Sequence, residues 1–157
     1  MPESTTHAFF VYGTLKRGYL REHVWPHTPN HIETAWIEAD LYDLGPYPAI
    51  HAGSGKVAGE LWTFDPAHMQ ATLGALDEAE GFGQLNEPNY YERRTVSAHT
   101  ADGRTVDAFA YFMCNGDRLS KARRIPNNTT CLGVHCASWP DSLSRVPKSF
   151  AEEKTLE

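Results

Sequence analysis

The chain predicts an α+β fold, and three observations carry that reading. About five short apolar runs of strand character are separated by Gly, Pro and Asn. One clear helix signal, Asp65-Pro66, stands between them, and an Asp-Gly pair at 102–103 joins two of the runs as a hairpin. Strands that pair with near neighbours around a single helix form an α+β plan.

The elements follow in order. His7 to Tyr12 is a continuous apolar run and predicts a buried strand, and "LKRGYLREHVW" after it is a short helix or an irregular loop, since Gly18 weakens a helix. "AWIEADLYDL", Ala35 to Leu44, mixes aliphatic, aromatic and acidic residues as a strand with one wet face does. "GPYPAI" breaks it, because Pro46 and Pro48 cannot both occupy a central strand. "VAGELWTF", Val57 to Phe64, predicts the next strand, and Asp65 then caps a helix that begins at Pro66 and runs to about Asp77. "GFGQLNEPN" reads as loop, and "YYERRTVSAH" and "TVDAFAYFM" read as the two arms of the hairpin across "TADGR". Beyond Asn115 turn formers dominate and periodicity fades, so residues 1–115 are assigned to one domain and 116–157 to an extension, packed on it or partly disordered.

Composition narrows the function. The 157 residues suffice for one core without disulfides or metal, and 41% hydrophobic with 22% charged residues is a globular balance. A net charge of −6 argues against nucleic acid and against an anionic membrane face, both of which need clustered basic surface. "MPESTTHAFF" lacks the features of a signal peptide, and no apolar run approaches the roughly 18 residues of a membrane span, so a cytoplasmic location is expected. Cys114, Cys131 and Cys136 are then expected as free thiols. "CLGVHC" puts His135 between two cysteines but lacks a second ligand pair, so no metal site is assigned. No feature specifies an oligomeric state.

Two segments carry candidate chemistry. At about 100° per residue, Met69, Leu73 and Leu76 form the inward stripe of the helix, and Glu80 falls within about 20° of Met69. Glu78 falls opposite and Asp77 on one flank. A carboxylate at the edge of a core is expected to have a raised pKa unless partners compensate, which suits a general acid or base. Helical geometry alone favours the plainer reading, in which Glu80 caps a backbone group or pairs with Arg93 or Arg94.

The second segment is "FFVYGTLKRG", where a buried strand ends in Tyr12-Gly13-Thr14-Leu15. Backbone N–H groups at such a strand end can cradle an anion or an oxyanion, and Gly13 permits close approach of a ligand. A plain tight turn capped by Thr14, with Lys16 and Arg17 solvated, is the competing reading.

"VYGTLKRG", "GPYPAI", "GELWTFD", "LDEAEGF", "YYERRTV" and "DAFAYF", taken in that order over residues 8 to 115, resemble the γ-glutamylcyclotransferase-like (AIG2-like) superfamily, which includes γ-glutamylamine cyclotransferase. The resemblance implies a small mixed β-barrel of about five to seven strands with one main helix. It also implies release of a γ-glutamyl amide as 5-oxoproline. In the resemblance Tyr12, Gly13, Thr14 and Leu15 hold the glutamyl group, and Glu80, directly before Gly81 in "DEAEG", is the acid/base. Tyr47, Tyr111 and, less clearly, Tyr91 correspond to pocket-lining aromatics. Arg93 and Arg94, adjacent in a strand, point to opposite faces.

The implied reaction is intramolecular: the substrate's α-amino group attacks its own γ-carbonyl while Glu80 shuttles the proton. It calls for a small γ-glutamyl substrate and for neither metal nor organic cofactor. The extension, and a spacer between Glu80 and the Tyr-x-Arg strand longer than in compact family members, leave the leaving amine open. A non-catalytic member of the same fold, binding a small anion or a protein, is the alternative. Thiol or metal chemistry at Cys131, His135 and Cys136 is a third reading.

Overall fold

A computed structural model of the chain describes residues 6–13, 15–18, 22–44, 48–80, 91–113, 119–120 and 122–141. Its strands are β1 (Ala8–Val11), β2 (His31–Asp43), β3 (Pro48–Thr63), β4 (Tyr91–Thr100), β5 (Thr105–Met113), β6 (Arg123–Arg124), β7 (Thr129–Cys131) and β8 (Val134–Cys136), with helix α1 at Met69–Ala79. The sheet order is β3-β1-β5-β4-β2-β6, and β2 also pairs with β3. That extra pairing closes β3, β1, β5, β4 and β2 into a barrel. β1 runs parallel to β5, with Phe9 opposite Phe109, and the other barrel pairs are antiparallel, so the barrel is mixed.

Local chemistry accounts for most elements. Asp102 and Gly103 make the β4–β5 turn, with Gly103 at φ +85°, a conformation that glycine adopts without a Cβ penalty. Asp65 accepts the Ala67 N–H through Oδ1 at 2.9 Å, as a capping residue should. Pro66–His68 form a 3₁₀ turn before α1. The helix continues past Asp77 to Ala79, with Glu80 as its C-cap.

Three boundaries differ from the sequence expectation. β2 begins at His31, four residues before Ala35, because it pairs with β3 down to the His31–Thr63 register. β3 begins at Pro48, before the expected break has ended: as the first strand residue, Pro48 needs no ladder donor, and residues 45–47 lie outside those described. "RRIPNNTTCLGVHC", residues 123–136, contains β6, β7 and β8. β6 adds to β2 through Tyr42–Arg124 and Asp43–Arg123.

Strand alternation sorts the side chains into two cores. Ala8, Phe10, Ala35, Ile37, Ala39, Ala98, Ala108, Ala110 and Phe112 fill the barrel, where a ring of alanines leaves room for a few large side chains. The outer faces of β1, β3 and β5 present Phe9, Val11, Trp62, Tyr111 and Met113, over which α1 lays Met69 and Leu76. Phe64 N–H bonds the His7 carbonyl at 2.9 Å, so α1 starts at the end of the barrel where β1 begins. It runs back towards the end where β1 and β5 finish and β4 starts.

Candidate active site

At that end β1 passes into a turn closed by Lys16 N–H on the Gly13 carbonyl at 3.1 Å. Tyr12 lies in the barrel core and its hydroxyl donates to the Tyr111 carbonyl at 2.7 Å. Gly13 is required by a close approach: a Cβ there would come within 2.6 Å of Pro48 Cγ. Leu15 is buried, and its carbonyl accepts the Trp25 indole N–H at 3.0 Å. Glu60 Oε1 accepts the N–H of Arg17 at 2.8 Å and of Trp62 Nε1 at 3.0 Å. Thr14 and Tyr47 lie outside the described residues.

The last turn of α1 reaches the same end. Glu80 keeps the helical hydrogen bond, N–H to the Leu76 carbonyl at 2.9 Å, and is half-buried, whereas Glu78 is exposed. The helical hydrogen-bond pattern thus continues to Glu80, the C-cap of α1. Met69, Thr72 and Leu76 are the buried residues of that face, and Leu73 is half-buried.

Asp77, which the sequence placed on a flank, ties α1 to the sheet. Its Oδ1 accepts the Tyr111 hydroxyl at 2.6 Å, and its Oδ2 pairs with Arg93 Nη1. Burial pushes the Tyr111 phenol pKa up, and the Asp77 hydrogen bond and charge add to this; the charge of Glu80 acts the same way, so both carboxylates bear on this phenol. For Arg93, burial works against the cation, but the bond to Asp77 and its charge outweigh it and the pKa rises. Sequence reasoning missed Asp77 because its partners arrive from β4 and β5; its place three residues before Glu80 and the inward Arg93 were the available signals.

The remaining candidates are distributed around this arrangement. Tyr91 is buried and donates to the carbonyl of Pro48, the residue a Cβ on Gly13 would strike, at 3.1 Å. Arg93 and Arg94 do take opposite faces: Arg93 stacks on Phe109, and Arg94 stacks on Phe112 and pairs with Glu92 at 2.6 Å. Lys16 corrects the expectation of solvation, since it is buried with Nζ on the Trp139 carbonyl at 2.5 Å, whereas Arg17 is exposed. His51, unmarked in the sequence reading, sets Nδ1 3.3 Å from the Met113 carbonyl. An open cavity of about 580 Å³ adjoins the turn over the stacked Trp25 and Trp62 rings, but neither Glu80 nor Tyr111 lines it.

Cys131 and Cys136 are buried free thiols on the β7–β8 hairpin. Burial raises both pKa values, that of Cys136 to about 11, the opposite of what a nucleophilic thiolate needs. Among the described residues no group of three or more His, Cys, Asp or Glu is gathered as a metal site, and no helix is long and apolar enough to cross a membrane.

A small mixed barrel with a carboxylate-bearing helix end fastened to β5 defines an α+β class of compact barrel proteins. Residues 9–130 match the family described as gamma-glutamyl cyclotransferase, AIG2-like, and the chain belongs to that family. The match runs past Asn115 into the segment assigned to the extension. Two curated proteins bear the name "Putative gamma-glutamylcyclotransferase". The one from Methanocaldococcus jannaschii is 28% identical over 66% of this chain and 81% of its own. That from Vibrio cholerae is 36% identical over 57% of this chain and 71% of its own. A solution structure from Arabidopsis thaliana is similar at 28% identity and TM-score 0.57, covering 74% of this chain and 67% of that one.

Proposed function

We propose that the protein is a cofactor-independent γ-glutamylcyclotransferase that releases 5-oxoproline from a γ-glutamyl amine or γ-glutamyl amino acid. The observation that carries this reading is the part played by Tyr111. Its carbonyl accepts the Tyr12 hydroxyl at the start of the turn, and its own hydroxyl donates to Asp77, three residues before Glu80. Turn and helix end are thereby referred to one residue of β5. Family membership and the names of the two curated relatives support the same reaction class.

In this reading Tyr12, Gly13, Thr14 and Leu15 bind the γ-glutamyl group, largely through the backbone, with Tyr47 and Tyr111 at the pocket wall. The substrate's α-amine attacks its γ-carbonyl carbon, the C–N bond to the departing amine breaks, and a five-membered lactam forms. Glu80 takes the proton from the attacking nitrogen and returns it to the leaving one, a role worth ~10²–10⁴-fold. The backbone N–H groups of the turn stabilise the substrate carboxylate or the oxyanion. Holding the chain folded for ring closure supplies the effective molarity.

Incubation with a panel of γ-glutamyl amino acids, γ-glutamyl-lysine and γ-glutamyl amides, reading 5-oxoproline, tests the proposal. Product from at least one member is the expected result; none from any would return the chain to the non-catalytic alternative.

A further inference from the structure

Lys16 is 8% exposed, although Arg17 beside it lies in solvent. A lysine on a surface turn ordinarily keeps its ammonium in water and lays its stem along the protein. Here the head is turned inward and donates to a main-chain carbonyl, that of Trp139, 123 positions away in sequence. Burying an ammonium is unfavourable unless hydrogen bonds replace water, so the contact requires the carbonyl to be held in place.

The structure holds it. Before Trp139, Ala137 N–H bonds the Lys56 carbonyl and the Ala137 carbonyl accepts Ala58 N–H, both at 2.8 Å, which stitches this segment to β3. After it, both oxygens of Asp141 accept from Arg123 at 2.8 Å, and Arg123 also bonds Asp43 at 2.6 Å. Between these two fastenings Trp139 is fully buried in the barrel core, in the same apolar cluster as Tyr12. A Cβ on Gly13 would come 3.9 Å from its ring. Residues 137–141 are therefore a strap across the barrel end, which reaches the turn twice: by the Trp139 ring, within reach of a Cβ placed on Gly13, and by the carbonyl that holds Lys16.

We propose that Lys16 is a positioning residue and that the strap is part of the active site, latching the Tyr12–Leu15 turn at the height from which it presents the γ-glutamyl group to Glu80. The strap lies beyond residues 9–130 matched by the family. The inference rests on the reading of that turn as the γ-glutamyl-binding element. A displacement of about 1 Å at such an element can cost on the order of a hundredfold in rate, so a strap that touches no reacting atom can govern the reaction. Because the acceptor is backbone, the lysine senses where the strap lies rather than which side chain position 139 carries. Coupling of this kind is reciprocal: loosening either partner loosens the other.

The test uses the full chain with Lys16→Met, Lys16→Arg and Arg123→Met, read by amide hydrogen exchange and by steady-state kinetics. In Lys16→Met, exchange over residues 12–18 and over 132–141 is expected to accelerate together, by about tenfold or more, while the centre of the β4–β5 hairpin keeps its wild-type rates. Arg123→Met, which alters the far fastening of the strap, is expected to accelerate residues 12–18 as well. With a substrate found in the panel, Lys16→Met is expected to lower kcat/KM by about tenfold or more, mainly through kcat, with Lys16→Arg recovering most of the loss. Acceleration spread evenly over the hairpin would make Lys16 a stability residue only and overturn the proposal, as would unchanged exchange over 12–18 in both Met variants. The exchange result needs no substrate. A wild-type protein that turns nothing over, yet shows coupled exchange, would remove the catalytic reading and leave the latch.

Discussion

Tyr111 and Asp77 are joined by a 2.6 Å hydrogen bond in which the phenol donates, and this bond fastens the last turn of α1 to β5. Arg93 completes the clamp from β4 on the other carboxylate oxygen. Asp77→Asn keeps the shape but removes the charge and turns a donor towards one of two donors. A loss of about 1–3 kcal/mol is expected by urea unfolding, towards the lower end because the pair is partly exposed to solvent.

The same clamp makes stability depend on alkaline pH. The folded-state pKa of Tyr111 is raised above its usual value of 10.0, so the folded protein holds this proton more tightly than the unfolded chain. Its contribution is complete below about pH 10 and falls as the pH climbs above that towards the folded value. Tyr111→Phe is expected to lose the hydrogen bond at neutral pH and to show a shallower alkaline decline, which unfolding curves at successive pH values will reveal.

Glu80→Gln preserves the helix end, whose cap is a backbone bond to Leu76. Release of 5-oxoproline is expected to fall by at least about a hundredfold while the fold is kept, as circular dichroism will show. Glu78→Gln, on the exposed side, is expected to stay near the wild-type rate. Near-normal turnover in Glu80→Gln would remove the residue from the reaction.

Gly13→Ala places a methyl 2.6 Å from Pro48 Cγ, closer than carbon atoms approach. Either the turn or the start of β3 must move. About 1–3 kcal/mol of destabilisation is expected, together with a fall in kcat/KM of at least about tenfold. Circular dichroism melts and the 5-oxoproline assay measure the two parts separately.

Leu76 is fully buried between helix and barrel, and its carbonyl receives the Glu80 N–H. Leu76→Ala is expected to cost about 2–5 kcal/mol, read as a lower melting temperature.

What the sequence disclosed was local. Asp102-Gly103 marks its own turn, and Asp65-Pro66 marks its own helix start, because each acts within four residues. The reach of the helical pattern to Glu80 followed from helical period. Pairing of Phe9 with Phe109 and of His31 with Thr63 leaves no such mark, since strand partners far apart in sequence impose no spacing rule. Pro46 and Pro48 together suggest a break, yet the first position of a strand tolerates proline, and Pro48 begins β3. Asp77 and Lys16 escaped for a shared reason: each is defined by a partner, Tyr111 or the Trp139 carbonyl, that the chain delivers much later. Thr14 and Tyr47 lie outside the described residues.

The place of β1 between β3 and β5 sets the order in which the protein can be assembled. A strand made early must wait, with one edge uncovered, until Phe109 has been synthesised, while β2 and β3 can already zip together beside it. Rings closed through such distant partners form slowly, and the unshielded edge is open to wrong neighbours in the interval. Production in cells should therefore respond more to added chaperones or lower growth temperature than that of an all-helical protein of equal length.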